Sequence, residues 1–261
     1  MVQRREDGYH DIESIFLPVP ICDRLEILPS NTFMFTQNGL ALDSDIDNNM
    51  VVKAYHLLQN QFGKKIPQCN ISLTKNIPFG AGLGGGSSDA AYTLRMLNEL
   101  FALGMDNDEL RKFARLLGAD CPFFIDNKPA YVTGIGDKLE VLGFNPVEDF
   151  RLIVVKPITA VNTAEAYRGI VPRNQRKMTT TYDLREAIRQ PIEQWHQSIV
   201  NDFEATVFAV HPELADIKRQ LYDAGALYAS MSGSGSAIFA LFPSDITPQL
   251  NEYLKHLVII L

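Results

Sequence analysis

The residues most suggestive of chemistry lie at positions 78–90, which read PFGAGLGGGSSDA. Five of the seven residues from Gly80 to Gly86 are glycine, and two serines follow. Glycine loses more backbone freedom on folding than any other residue, so a run of it indicates a backbone that must approach something closely. A strand-like stretch precedes the run and a helix-like stretch follows it. Because the N–H groups at a helix start can bind the oxygens of an anion, the favoured ligand is a polyphosphate.

Two common phosphate-binding patterns describe this run poorly. The pattern GxxxxGK[ST] is absent, because Gly86 stands where it requires lysine. The pattern GxGxxG occurs at Gly80, Gly82 and Gly85, but nearly any glycine-dense stretch contains it. In addition, no strand ending in an acidic residue follows about 20 residues later. An ordinary turn or flexible loop is the alternative interpretation, and the direct passage into an amphipathic helix favours the phosphate loop.

Alternating and periodic apolar residues predict the elements that must position this loop. We expect strands at IESIFLPVP, RLEIL, FMFTQNGLALD, NISLTK, PFFID, PAYVTG, KLEVL, RLIVVKP and AIFALF, with an Asn38-Gly39 pair at a hairpin position. We expect helices at NNMVVKAYHLLQNQFG (capped by Asn48 or Asn49 and ended by Gly63), SDAAYTLRMLNELFAL, NDELRKFARLLG (capped by Asp106 or Asn107 and ended by Gly118), TAEAYRG, YDLREAIRQ, IEQWHQSIVNDFEATVFAV and PELADIKRQLYDAG. A second small-residue run, SMSGSGSA, spans 230–237. The order predicts an α+β protein of two domains, 1–143 and 144–261.

Composition narrows the class of partner. The chain has 261 residues, 46% of them hydrophobic, and a net charge of −7. This acidic balance argues against a nucleic-acid binder, although a small phosphorylated ligand needs only a local field. Three cysteines without CxxC spacing predict reduced, buried thiols in a cytoplasmic protein and no protein-held metal site. No apolar run approaches the roughly 20 residues that cross a bilayer, and we expect no signal peptide and no membrane partner.

Four motifs together resemble a known kinase family. PFGAGLGGGSSDAA looks like the central signature of the GHMP kinases, and SMSGSGSAIFALF looks like their third motif, which lies near the ATP phosphates. REDGYHDIES and GADCPFF, the latter at 118–124, are similar to the members that act on 4-diphosphocytidyl-2-C-methyl-D-erythritol. The resemblance spans residues 5 to 242. It implies the two-domain GHMP kinase fold, with an N-terminal ATP-binding domain, a C-terminal substrate-binding domain and the site in the cleft between them.

The resemblance also implies a role for each matching residue. Asp120, in GADCP, matches the catalytic aspartate that orients or deprotonates the substrate hydroxyl, although an aspartate after a helix end is otherwise usually a turn residue. Tyr9 and His10 match a motif that stacks on cytosine and hydrogen-bonds its edge. Tyr167 matches an aromatic on the opposite face of that base, and an ordinary helix-face tyrosine explains it equally well. The implied nucleotide-binding residues are Asn49, Lys75, Pro78, Phe79, Gly80, Ala81, Gly82, Leu83, Gly84, Gly85, Gly86, Ser87 and Ser88.

Two of these nucleotide-binding assignments have a simpler alternative. Asn49 matches an asparagine that contacts adenine, but its position as a helix cap would explain it alone. Lys75 either flanks the nucleotide or only solubilises a strand end. The implied reaction is ATP-dependent phosphorylation of the 2-hydroxyl of the cytidine diphosphate-linked methylerythritol, in non-mevalonate isoprenoid biosynthesis, with ATP and Mg²⁺ as cofactors. We expect a monomer or weak homodimer.

The chain departs from the family at its start. Family members normally open with a strand bearing P-A-K-[IL]-N-L, which supplies a lysine partner for the catalytic aspartate, whereas this chain begins MVQRREDGYH. Either an internal start or a natural short form would explain this. Without that lysine the Asp120 carboxylate is less favoured, so we expect the chain as given to bind nucleotide better than it turns over. The alternatives are a GHMP kinase for another alcohol (mevalonate, homoserine or a sugar), disfavoured by DGYH, and a non-catalytic nucleotide-binding protein.

Overall fold

The structure is a computed structural model that describes residues 1–40, 46–175 and 183–260. The chain divides into two compact units. Unit 1 comprises Met1–Ile15, Gly80–Leu83 and Leu142–Leu261, and unit 2 comprises Phe16–Phe79 and Gly84–Val141. The predicted domains, 1–143 and 144–261, stay a prediction. The compact units differ from them mainly by grouping Met1–Ile15 and Gly80–Leu83 with the C-terminal residues.

The described part of the chain mixes helices and strands, which confirms the predicted α+β class. The strands are β1 (Gln3–Arg4), β2 (His10–Phe16), β3 (Arg24–Pro29), β4 (Met34–Gly39), β5 (Cys69–Lys75), β6 (Ala130–Gly134), β7 (Lys138–Val141), β8 (Phe150–Val155), β9 (Tyr228–Met231), β10 (Ile238–Pro243) and β11 (Val258–Ile260). The helices are α1 (Met50–Phe62), α2 (Gly85–Leu100), α3 (Asn107–Leu117), α4 (Phe123–Asp126), α5 (Thr163–Arg168), α6 (Leu184–Ala187), α7 (Trp195–Ser198), α8 (Phe203–Val210), α9 (Pro212–Asp223) and α10 (Glu252–Leu257). Short 3₁₀ turns lie at Ile46–Asn48, Gly63–Lys65, Arg173–Gln175 and Ile192–Gln194.

Unit 2 is built around a three-stranded sheet with strand order β3-β5-β4. β3 runs antiparallel to the central strand β5, and β4 runs parallel to it. Burial alternates along β5, so that Ile71 and Leu73 pack in one core with Leu58 of α1 and Leu94 of α2. Because β5 ends at Lys75, this sheet fixes where the glycine run begins.

Unit 1 contains a four-stranded antiparallel sheet with strand order β11-β8-β10-β9. Side chains of β10 alternate between two apolar clusters, because successive strand residues point to opposite faces. Ala240 and Phe242 pack with Leu214 of α9, whereas Leu241 packs with Trp195 of α7. The second small-residue run lies between β9 and β10, so this sheet positions it.

Capping residues explain where two predicted helices begin and end. The side chain of Asn49 accepts a hydrogen bond from the N–H of Val51 at the start of α1, and Gly63 follows its end, as predicted. Asp106 forms a capping box with Glu109 at the start of α3, also at a predicted cap. The helix after the glycine run begins earlier than predicted, at Gly85.

Two sequence predictions are wrong because local turn and capping residues override apolar patterns. PFFID forms the short helix α4 and not a strand, since Pro122 takes a helical conformation before it and Asn127 closes it in the left-handed region. The long helix predicted at IEQWHQSIVNDFEATVFAV is instead α7 and α8 with a break between them. At that break the backbone is extended at Ile199, and the side chain of Asn201 accepts a hydrogen bond from Phe203 N–H.

The hairpin turn predicted at Asn38-Gly39 is also wrong. Both residues belong to β4, and Gly39 pairs with Lys75 of the parallel neighbour β5. A Cβ atom at residue 39 would lie 2.3 Å from the Lys75 carbonyl oxygen, so this glycine permits a close strand approach. The second strand of that hairpin, from residue 41 on, lies outside the described residues, as does Tyr182 of YDLREAIRQ. Each other predicted strand and helix overlaps an observed one.

Candidate active site

The glycine segment, residues 80–88, leads into the start of α2. Its glycines at 80, 82 and 84 adopt φ values of 63°, 74° and 67°. Gly84 is the N-cap of α2, and within the described chain no side chain caps this helix and no acidic residue occupies its first turn. The first N–H groups of an α-helix have no partner inside the helix. An anion could therefore accept hydrogen bonds from these N–H groups and interact with the positive end of the helix dipole.

Close packing explains why glycine stands at some positions of this segment but not at all of them. A Cβ atom at Gly82 would lie 2.1 Å from the carbonyl oxygen of Ser232. At Gly84 it would lie 2.8 Å from the ring of Phe124. At Gly85 it would lie 2.9 Å from the side chain of Ile77, whereas at Gly86 the nearest atom would be 3.8 Å away, an ordinary contact. Close packing therefore requires glycine at residues 82, 84 and 85 but not at residue 86.

The second small-residue run contacts the glycine segment within unit 1. We call residues 232–236 the second loop. The hydroxyl of Ser232 donates to the carbonyl oxygen of Gly82 at 2.8 Å, and the N–H of Ala237 donates to the carbonyl oxygen of Ala81 at 3.0 Å. Two runs that are 150 positions apart in sequence thus lie side by side.

Two side chains hold the backbone at the second loop. The Asn201 amide donates to the carbonyl oxygens of Met231 (2.7 Å) and Gly233 (2.8 Å). The buried Glu204 carboxylate accepts from the N–H of Met231 at 2.8 Å and pairs with Lys218 at 2.6 Å. We did not find either residue from the sequence. The sequence features that could have pointed to them are the Asn201-Asp202 pair and the position of Glu204 within an apolar helix pattern.

Lys75 is buried, with only 3% of its surface exposed. Its ammonium pairs with Asp89 of α2 at 2.7 Å and with Asp23, so it does not solubilise the strand end. Burial raises the pKa of Asp89 to about 7, although the nearby ammonium of Lys75 opposes that shift. Neither aspartate stands out in the sequence pattern. Whether Lys75 contributes to nucleotide binding stays a prediction.

Asp120 lies in the turn between α3 and α4. Part of its surface is exposed, yet the protein atoms around its carboxyl group desolvate it and raise its pKa. The next residue, Cys121, is buried and interacts with the side chain of Ser87 in the first turn of α2. Burial raises the pKa of this thiol to about 11, so it stays protonated at neutral pH. The fold thus brings the predicted catalytic residue next to the start of the helix.

Asn49 already has protein partners on both sides of its amide group. Its oxygen accepts from the N–H of Val51 at 2.9 Å, and its nitrogen donates to the side chain of Gln37 at 3.1 Å. The residue is buried, and the predicted capping role is confirmed. Its contact with adenine stays a prediction.

The residues predicted to recognise a base lie in unit 1. The rings of His10 and Tyr167 have their centroids 5.1 Å apart, and Tyr167 meets Phe203 edge-on at 4.8 Å. Tyr9 is 59% exposed. Desolvation, together with the charge of Arg4, lowers the pKa of His10, which therefore stays neutral at pH 7. Two of the three predicted aromatic residues are thus brought together.

The described residues provide no ready-made metal centre. Among them, no three His, Cys, Asp or Glu side chains cluster as a metal site. No helix in the described ranges is long and apolar enough to cross a membrane. All three cysteines are described and unpaired, but only Cys69 and Cys121 are buried, so the prediction of buried thiols is wrong for the exposed Cys22.

Comparison with known proteins agrees with the sequence motifs. Residues 49–128 match the family model for the GHMP kinases N-terminal domain, and residues 183–255 match that for the GHMP kinases C-terminal domain. A protein of Parabacteroides distasonis named 4-diphosphocytidyl-2-C-methyl-D-erythritol kinase is 46% identical over 93% of this chain and 86% of its own. A protein of the same name from Azobacteroides pseudotrichonymphae is 44% identical over 95% of this chain and 90% of its own.

A solved structure gives the same result for the fold. It is described as the crystal structure of 4-(cytidine 5'-diphospho)-2C-methyl-D-erythritol kinase, with a TM-score of 0.74 at 32% identity. The match covers 93% of this chain and 85% of that chain. Motifs, family models and relatives agree over nearly the whole sequence, and we conclude that this chain belongs to the GHMP kinases, a family of ATP-dependent phosphotransferases.

Proposed function

We propose that the protein transfers the γ-phosphoryl group of ATP to the 2-hydroxyl of 4-diphosphocytidyl-2-C-methyl-D-erythritol, a step of non-mevalonate isoprenoid biosynthesis. The observation that carries this proposal is the 46% identity, over 93% of the chain, to a relative named for that substrate. The alternatives within the family are other alcohols, such as mevalonate, homoserine or a sugar. The alternative outside catalysis is a nucleotide-binding protein.

The glycine segment binds the phosphates of ATP in this proposal. Phosphoryl transfer depends mainly on positioning and on neutralising charge, because little covalent chemistry is left to the protein. The uncapped N–H groups at the start of α2 supply both donors and partial positive charge. Pro78 and Phe79 lead into this segment, and Leu83 lies within it. Their main-chain atoms would therefore also lie beside the phosphates.

Asp120 acts on the acceptor hydroxyl in this proposal. A carboxylate near the attacking oxygen orients it and accepts its proton as the new bond forms. A raised pKa makes the carboxylate a better base, and desolvation raises the pKa of Asp120. Asp120 is next to Cys121, which touches Ser87 of α2. This position is consistent with proton transfer beside the bound phosphates.

Mg²⁺ accompanies ATP in the proposed reaction. This ion usually keeps several waters and takes one or two protein oxygens plus phosphate oxygens, so it does not require a cluster of acidic residues. The hydroxyls of Ser87 and Ser88, at the start of α2, are the oxygen donors that fit this role. Bound Mg²⁺ would offset charge on the transferring phosphoryl group.

Unit 1 recognises the cytosine base in this proposal. Neutral imidazole has one donor and one acceptor, which suits the edge of a base, and the lowered pKa of His10 favours that form. The rings of Tyr9 and Tyr167 offer stacking surfaces. A mevalonate or homoserine substrate would gain little from such an aromatic group.

A coupled ATP-consumption assay tests the proposed substrate. We expect turnover with the cytidyl alcohol and none above background with mevalonate, homoserine or a sugar. Turnover with one of those alcohols instead would overturn the substrate assignment. Binding of ATP by calorimetry, without transfer to any of the four, would favour the nucleotide-binding alternative.

We also propose that the protein works in the cytoplasm as a monomer or weak homodimer. Light scattering after size exclusion tests the second part. A mass that stays at a tetramer or larger on dilution would contradict it.

A further inference from the structure

Three buried charged side chains of unit 2 join both ends of the glycine segment. We propose that Lys75, Asp23 and Asp89 form a brace that holds this segment in its ATP-binding shape, and that Lys75 acts as a positioning residue and not as a ligand of the phosphates. We call these three residues the charged brace. The proposal rests on ATP binding at the glycine segment, which is part of the proposed function.

Asp23 holds the chain just before the glycine segment. One of its carboxylate oxygens accepts hydrogen bonds from the N–H groups of Asn76 at 2.6 Å and Ile77 at 2.8 Å. The other oxygen contacts the ammonium of Lys75. The side chain of Asn76 donates to the carbonyl oxygen of Cys22 at 2.9 Å, which adds a second tie at the same place. The preceding end is therefore fixed by four contacts to Cys22 and Asp23.

Asp89 holds the chain just after the glycine segment. It lies on α2, is buried, and accepts from Lys75 at 2.7 Å. The ammonium of Lys75 lies close to the first turn of this helix, since a Cβ atom at Gly85 would be 3.4 Å from it. One ammonium group therefore links the strand that enters the segment to the helix that leaves it.

The net charge of the charged brace indicates that it positions the glycine segment and does not itself bind phosphate. Two carboxylates face one ammonium, so the three side chains present no net positive charge to a phosphate. Buried ion pairs rarely stabilise a fold more than apolar side chains of the same volume, but they can fix one arrangement. An arrangement that fixes both ends of a ligand-binding segment reduces the ordering needed when the ligand binds.

Substitutions at Asp89 test the brace by calorimetry with ATP. Asp89→Ala removes one link and is expected to weaken ATP binding about tenfold or more. Asp89→Asn retains an oxygen that accepts from Lys75, so its ATP affinity should stay within about threefold of the parent. The KM for the cytidyl alcohol should not change in either variant, because the base-recognition residues lie in unit 1.

Leu97→Ala is the matched control. Leu97 is fully buried on the same helix, in the core of unit 2, about two turns beyond Asp89. It should lower the melting temperature as much as Asp89→Ala does while leaving ATP affinity within about twofold. Equal loss of ATP affinity in the two variants would mean that the brace is merely structural and would overturn the proposal.

Two further results would contradict the proposal. Folded Asp89→Ala with the parent's ATP affinity would show that the link is not needed. Tighter ATP binding in that variant would show that Asp89 restrains an ammonium that otherwise binds phosphate. If Asp89→Ala does not fold, the pair Lys75→Met with Asp89→Leu removes two of the three charges. Asp23 keeps its two main-chain N–H donors, so we expect this pair to fold with the same loss of ATP affinity. Parent-like affinity in the folded pair would equally overturn the proposal.

Failure of the substrate proposal would look different. In that case no phosphoryl transfer to the cytidyl alcohol occurs in any protein, including the parent. The ranking of ATP affinities among Asp89→Ala, Asp89→Asn and Leu97→Ala would be unaffected, since it is read without an acceptor.

Discussion

The glycine segment and the second loop are held by different physical means. In unit 2, Lys75 and two carboxylates link side chain to side chain around the glycine segment. In unit 1, the neutral amide of Asn201 donates to main-chain oxygens of Met231 and Gly233, where the second loop begins. Removing one partner of a buried ion pair costs about 3–5 kcal/mol, whereas a neutral hydrogen bond contributes about 1 kcal/mol. The first segment is thus more sensitive to a single substitution than the second.

The units also differ in the groups they would offer to the reaction. Unit 2 has the desolvated carboxyl of Asp120 near the start of α2. Unit 1 has the aromatic contact of His10 with Tyr167. Under the proposed function, Asp120 of unit 2 serves transfer of the phosphoryl group and the aromatic contact of unit 1 serves choice of substrate. Substitutions at Asp120 and at Tyr167 should therefore change different kinetic constants.

The largest effect is expected for Asp120→Asn. Loss of the base should lower kcat by about 10²–10⁴-fold, because general base catalysis contributes on that scale. ATP affinity by calorimetry should stay within a few-fold, since the amide has the same shape. Asp149→Asn, at an exposed aspartate of unit 1, is the control. A normal kcat in Asp120→Asn would show that Asp120 is not the base in the chemical step.

Gly82→Ala should have the next largest effect. A methyl group there would lie 2.1 Å from the Ser232 carbonyl oxygen, so the contact between the glycine segment and the second loop must open. We expect a loss of about 1–3 kcal/mol in the free energy of unfolding and weaker ATP binding. Gly80→Ala is matched, because φ is also positive there but no atom lies within 4 Å. If the two substitutions have equal effects, backbone strain alone explains the loss of stability and of ATP binding.

Tyr167→Leu should raise the KM for the cytidyl alcohol about tenfold, since stacking on a base contributes about 1–3 kcal/mol. The KM for ATP should not change. Tyr167→Phe keeps the ring and should retain most of the affinity. If the leucine variant changes only the KM for ATP, the assignment of substrate choice to unit 1 is wrong.

Asn201→Ala should destabilise unit 1 more mildly than Asp89→Ala destabilises unit 2. It leaves the carbonyl oxygens of Met231 and Gly233 without their amide donor, which costs about 1–3 kcal/mol. Denaturant unfolding of both variants gives the comparison directly. A larger loss in Asn201→Ala than in Asp89→Ala would reverse this ranking.

The smallest effect is a pH dependence from His10. Desolvation and the charge of Arg4 lower the pKa of this imidazole in the folded protein. The unfolded chain therefore binds more protons just below pH 6.5, and the stabilising contribution of His10, complete above that pH, is lost as the pH falls. His10→Gln should flatten this part of the stability curve. An unchanged slope would mean that His10 does not titrate there.

Local sequence signals predicted much of the fold. Asn49 and Gly63 bound α1, and the glycine run marks the start of α2, because caps and glycines act through their own backbone. Local signals failed at PFFID, where Pro122 and Asn127 decide the conformation. They also failed at the break before α8, where the Asn201 side chain bonds the backbone.

The supporting charges of the candidate site could not be predicted in the same way. Asp23 and Lys75 meet across 52 positions, and the contact depends on the sheet that brings β3 beside β5. Asp89 occupies a helix position that looks like an ordinary polar residue until its burial is known. Motifs indicated the residues that we propose to touch ligands, whereas the residues that hold these in place appear only in three dimensions.

The central claim is that bare N–H groups at the start of α2 bind the triphosphate of ATP. Amide NMR shifts of Gly85, Gly86 and Ser87 test it directly when ATP or adenosine is added to labelled protein. We predict large shifts of these amides with ATP and small ones with adenosine. Shifts that are equal with both, or absent with saturating ATP, would contradict the account.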